Sequence, residues 1–90
     1  MSRDHLETAS DLLEQAATET TGDSAADRLA DLSDQLGRLA AGETDPDHGR
    51  LARIQRSLDD IGDSVDDTVV DALDDADAEI NAFRETLEGV

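Results

Sequence analysis

Arg50, Arg53 and Arg56, with His48 just before them, are the one concentration of cationic side chains in this sequence. Guanidinium groups make charge-assisted, often paired hydrogen bonds to carboxylates and phosphates, so a row of them is the chemistry of an anion or acidic-partner contact. At three-residue spacing they wind around part of a helix. The competing reading is internal: the same arginines neutralise neighbouring aspartates. The chain has seven Arg, no Lys and 24 acidic residues, for a formal charge of −17. A few cations in that field do not draw in a nucleic acid. The cluster is therefore expected to act in internal compensation or in a protein contact. Neutralising Arg53 and Arg56 should then alter stability or oligomeric state more than ligand binding.

Other chemistry finds less support. His48 lies in Asp45-Pro46-Asp47-His48-Gly49, and an Asp-x-x-His pair on a first turn has metal-ligand spacing. Di-metal helical bundles, however, need two Glu-x-x-His motifs, and the chain has none. Asp45 and Asp47 fit the first and third places of a calcium loop, but Gly49 and Arg56 stand where other residues are required. The absence of Cys excludes disulfides and thiolate metal sites. No serine has an adjacent His or a glycine elbow, and no glycine loop could cradle a phosphate. A catalytic acid needs burial to raise its pKa, and the carboxylates fall on the polar side of every helical pattern. No enzymatic activity, metal or cofactor is expected. The longest apolar run is Leu39-Ala40-Ala41, so no membrane span or signal peptide is expected either.

The elements that would position these residues are all helical. Apolar residues recur at three- and four-residue spacing in four stripes. The first is Leu6, Ala9, Leu13, Ala16 and Thr20, widened by Leu12; the second is Ala25, Leu29, Leu32, Leu36 and Leu39. The third is Leu51, Ile54, Leu58, Ile61 and Val65; the fourth is Val69, Leu73, Ala76, Ile80, Phe83 and Leu87. Gly22, Gly42 and Gly89 sit just past stripes, as helix-ending glycines do. Asp45-Pro46 reads as an N-cap followed by proline at N1, and Ser24/Asp27 and Ser64/Asp67 resemble capping boxes. Gly49, inside a first turn, is out of place for a helix.

These signals predict one all-α domain over residues 1–90, with antiparallel helices near 4–20, 24–41, 46–61 and 65–88. Spacing 61, 65, 69, 73 runs unbroken across Gly62-Asp63-Ser64, which leaves two architectures. One is a four-helix bundle within the chain. The other is a long helical hairpin that buries its seam against a second copy. Folding at the Gly42–Pro46 turn puts Gly22 level with Val65 in either case. The thin core of twenty large apolar residues favours a homodimer.

Low hydrophobicity with high net charge ordinarily means disorder, and here the stripes contradict it. The conflict disappears near molar salt, where the Debye length is about 3 Å and neighbouring carboxylates hardly sense each other. Asp dominates Glu and Arg is the only strong cation. The stretch from Asp45 to Ile61 and the ending Ile80 to Val90 resemble small, acidic, helical proteins of halophilic archaea whose function is unknown. That resemblance runs over essentially the whole chain. It implies an all-α fold in a salt-rich cytoplasm and carries over no activity. The expectation is a self-associating interaction or scaffold module. The alternative is a polyanion that imitates DNA toward a basic protein, which requires acids gathered on one face.

Overall fold

The computed structural model describes residues 3–43 and 45–87. They form four helices: α1 (Asp4–Glu19), α2 (Asp23–Ala41), α3 (His48–Gly62) and α4 (Asp67–Arg84). Helix α1 packs on α2 and α4, and α3 packs on α4 and α2; α1–α3 and α2–α4 are the diagonals. Cross-links set the directions. Arg3 at the start of α1 donates to the Leu39 carbonyl late in α2 (2.7 Å), and His5 pairs with Glu79 late in α4 (2.7 Å). Arg28 early in α2 meets Asp60 late in α3. Every neighbouring pair is thus antiparallel, and the bundle runs up-down-up-down, 37 × 20 × 17 Å in extent.

The stripes supply the core. Leu6, Leu13, Leu29, Leu36, Leu39, Leu51, Ile61 and Ile80 are fully enclosed, and the other buried apolar side chains all come from the same four stripes. The seam closes within one chain, so the extended hairpin is not the arrangement found. The reason lies at the two loops that interrupt it. Thr20 and Gly22 are extended and reverse the chain between α1 and α2. At the other break, the Asp63 and Ser64 amides bond back three residues to Asp60 and Ile61, tightening the last turn of α3. The Ser64 hydroxyl donates to the same Ile61 carbonyl, and Asp66 then leaves in an extended conformation. The two loops meet as the register requires: Gly22 and Val65 line one small pocket of about 60 Å³.

Capping differs from the sequence reading. The cap of α3 is Asp47, not Asp45; its carboxylate accepts from the Arg50 amide at 2.7 Å, and Pro46 precedes the helix. Arg50 is the third residue of the observed helix, the position whose N–H an N-cap carboxylate reaches, whereas His48, three residues after Asp45, is only the first. The same carboxylate explains Gly49, where a Cβ would lie 3.3 Å from Asp47 Oδ1. Asp47→Ala is expected to cost about 1 kcal/mol of stability, read from urea unfolding, with Asp45→Ala close to neutral. Neither proposed capping box forms: α2 is capped by Gly22 and α4 by Asp66, both without a side-chain bond. Gly42 does end α2, in the left-handed region at φ 85°. Helix α4 stops at Arg84, and its continuation is a turn in which the Thr86 amide and hydroxyl both bond to the Phe83 carbonyl. Glu88 and Gly89, expected to complete and end that helix, lie outside the described residues.

Helices α1 and α2 approach closely. Ser10 Oγ donates to the Ser33 carbonyl (2.7 Å) and Ser33 Oγ to the Ser10 carbonyl (2.8 Å). A Cβ on Gly37 would already sit 3.4 Å from Ser10 Oγ. Each hydroxyl is satisfied by the other serine's carbonyl in a space that admits only small side chains. No helix among the described residues is long and apolar enough to cross a membrane.

Candidate functional site

The four inward residues of α3, Leu51, Ile54, Leu58 and Ile61, fix where everything else on that helix points. Each three-residue step turns a helix by 300°, so successive arginines shift around the axis by about 60°. The structure accordingly divides the cationic cluster. Arg50 and Arg53 fall on the α2 side, where they line a groove of about 240 Å³ with Leu32, Gln35, Ile54 and Ser57. Arg56 falls on the α4 side, in a larger groove of about 490 Å³ that also has Asp59, Asp63, Asp74 and Asp77 in its walls.

His48 stands apart from both. It is half-buried, and its Nδ1 accepts from Arg84 Nε at 3.1 Å. That bond requires the ring proton on Nε2. Arg84 Nη1 also donates to Gln55 Oε1 (2.7 Å), and Gln55 Nε2 donates to Asp77 and Asn81 (2.9 Å each). His48 therefore belongs to a polar seam tying α3 to α4. Among the described residues no three His, Asp or Glu side chains converge to hold an ion.

The remaining arginines show what internal compensation looks like here. Arg38 pairs with Asp34 one turn away, Arg28 with Asp60, Arg3 with a carbonyl and Arg84 with His48 and Gln55. By contrast, among the described residues Arg50, Arg53 and Arg56 have exposed side chains and no carboxylate within 4 Å. The expected pairing of these arginines with neighbouring aspartates is absent. For Arg53 the physical reason is spacing, since no acid stands three or four residues to either side of it; near Arg50 the Asp47 carboxylate is taken by the Arg50 amide, and beyond Arg56 the Asp60 carboxylate meets Arg28.

The groove continues past Arg50 and Arg53. Leu32, Gln35 and Ser57 also line an adjoining stretch of about 310 Å³ whose far end is made by Asp27, Arg28 and Asp31. This α2–α3 seam is the most thinly sealed of the four, and Leu32 is the most exposed of the core residues at 6%.

A family model, the family of unknown function DUF7553, matches residues 1–86. The chain belongs to that family. No curated protein and no solved structure matches it. Membership thus agrees with the resemblance to helical proteins of unknown function and brings no residue roles with it, so the site in this DUF7553 chain stands on its geometry.

Sequence reasoning missed Arg84 and Gln55, which organise the α3–α4 seam, and Ser10, Ser33 and Gly37, which organise the α1–α2 seam. The available signal for the second group was the run of small residues at four-residue spacing, Ser33 and Gly37, flanking the stripe of this DUF7553 protein. For Arg84 the signal was a basic residue in a last turn, opposite the start of α3.

Proposed function

We propose that this protein is a non-enzymatic interaction module of a salt-rich cytoplasm, and that the α2–α3 face is its contact surface. The reading rests on one observation above others: among the described residues Arg50 and Arg53 have no carboxylate within 4 Å, although the chain carries 24 acidic residues. Two guanidinium groups beside the least-sealed apolar seam suit a protein surface that offers carboxylates, since Arg forks bind them in pairs. A nucleic acid suits them poorly, because its charge density meets the whole acidic surface and not only this strip.

Two further features support the reading. Every described Asp and Glu is exposed except the half-buried Asp77 and Glu79, so the carboxylates serve hydration better than acid–base chemistry. Exposed acids also occur on all four helices. That distribution fits a surface adapted to salt and argues against a DNA-like face presented to a basic protein.

The test is affinity capture in 2 M KCl from a lysate of the source organism, with wild-type protein and the Arg50→Glu/Arg53→Glu variant as baits. The variant is expected to keep its helical circular dichroism and to retain acidic partner chains at least tenfold less well. Equal capture by both baits would contradict the reading, as would recovery of basic proteins alone.

A further inference from the structure

The α2–α3 face is electrically bipolar along its length. One end presents Arg50 and Arg53, which have no carboxylate within 4 Å among the described residues. The other presents Asp27 and Asp31, both exposed, beside the Arg28–Asp60 pair, whose charges cancel. With Arg28 level with Asp60, Asp27 and Asp31 stand level with the last turn of α3, so the middles of the two ends are separated by about 11 Å along the helices. Leu32, Gln35 and Ser57 lie between them and border both halves of the groove.

Such a face is complementary to itself. A two-fold axis standing on the midpoint, near Leu32 and Ser57, lays the cationic end of one copy over the anionic end of the other, and the reverse. In a two-fold interface each contact occurs twice, so four arginines meet four aspartates. We infer that the acidic surface recognised by this face is the same face of a second copy of the chain, joined antiparallel as an isologous dimer. The inference rests on the proposed contact role of the α2–α3 face and gives that role its partner.

The size is adequate. One side of the bundle, 37 Å by 20 Å, offers about 700 Å², close to the roughly 800 Å² per partner of a stable interface. The dimer differs from the one the sequence suggests, because the Leu/Ile/Val stripes are consumed inside each chain and only the rim of the Leu32–Ile54 seam remains to be covered. Salt has a consistent part in it. Two bodies of charge −17 repel over tens of ångströms, and a Debye length of about 3 Å removes that repulsion while leaving contact-range pairs partly in force. Association is therefore expected to strengthen from low to molar KCl.

Sedimentation equilibrium in 2 M KCl tests this with two charge-reversed variants, Arg50→Asp/Arg53→Asp and Asp27→Arg/Asp31→Arg, each checked for helicity by circular dichroism. Wild type is expected at twice the 9.6 kDa chain mass, and each variant alone as a monomer, its dissociation constant raised at least tenfold. Mixed in equal amounts, the two variants should form a heterodimer, because both ends of the mixed pair are again opposite in sign. A monomeric wild type would overturn the dimer, as would variants that dimerise unaided or a mixture that stays monomeric. The contact role of the face would survive those results only if the lysate capture still failed on losing Arg50 and Arg53. A loss of capture with no self-association points to a different acidic protein, and no loss of either removes both readings.

Discussion

Lowering KCl from 2 M to 0.05 M is expected to reduce the thermal midpoint by at least about 15 °C. The carboxylates of this chain stand in helical ladders at three- and four-residue spacing: Asp4, Glu7, Asp11 and Glu14 on α1; Asp27, Asp31 and Asp34 on α2; Asp67, Asp71 and Asp75 with Glu79 on α4. Like charges at those spacings destabilise a helix by roughly 0.2–0.5 kcal/mol per pair, so the eight neighbouring pairs in these ladders cost about 3 kcal/mol when unscreened. For a domain of this size each kcal/mol corresponds to about 4–8 °C, and repulsion between helices adds to the helical sum. At 2 M the Debye length is below about 3 Å and the ladders fall silent. Circular dichroism melts at the two salt concentrations measure the difference. Equal midpoints would mean that the acidic surface is tolerated without screening, and the salt-adaptation account would fail.

Leu13→Ala is expected to remove about 2–5 kcal/mol of stability, against a total of about 5–13 kcal/mol for a 90-residue domain. Leu13 is fully enclosed on α1, the helix that packs extensively on both of its neighbours, α2 and α4. Its loss opens a cavity among side chains that the backbone holds apart, so little of the space is recovered. Leu12, next in the chain but only half-buried, gives the comparison: Leu12→Ala should cost less than half as much. Urea unfolding in 2 M KCl reads both. Similar costs at the two positions would contradict the register of α1, because the argument depends on which of two adjacent leucines faces inward.

The fold was legible because burial followed spacing. Each buried apolar residue, from Leu6 through Phe83, belongs to a stripe visible in the sequence. Thr20, Ala25, Val65 and Leu87, at the stripe ends next to the Gly22 and Gly62 breaks and the end of α4, are half-buried, while the other stripe ends, Leu6, Leu39, Leu51 and Val69, are buried. The break at Gly62 was ambiguous for a physical reason: Val65 keeps the apolar spacing through the turn, and only the bonds of Asp63 and Ser64 back to α3 decide against a continuous helix. The cap of α3 was misplaced because Asp45 and Asp47 are the same residue type two positions apart, and proline at N1 favours the wrong one. The candidate site was legible in identity and not in arrangement. Arg50, Arg53 and Arg56 look like one cluster in sequence, yet the 300° step sends the first two to α2 and the third to α4. Which neighbour lies on which side is a property of the bundle's topology, which spacing within α3 does not contain. Ser33 escaped notice because a small hydroxyl beside a leucine stripe reads as polar surface until the reciprocal bonds with Ser10 are seen.

The α2–α3 face is most directly tested by amide chemical shifts of labelled protein, followed on dilution from about 1 mM to 20 µM in 2 M KCl. Concentration-dependent shifts are expected at Asp27, Asp31, Leu32, Gln35, Arg50, Arg53 and Ser57, with the exposed faces of α1 and α4 unchanged. Shifts centred on α1 and α4, or spectra independent of concentration across the whole chain, would contradict the assignment of that face as the contact surface between copies.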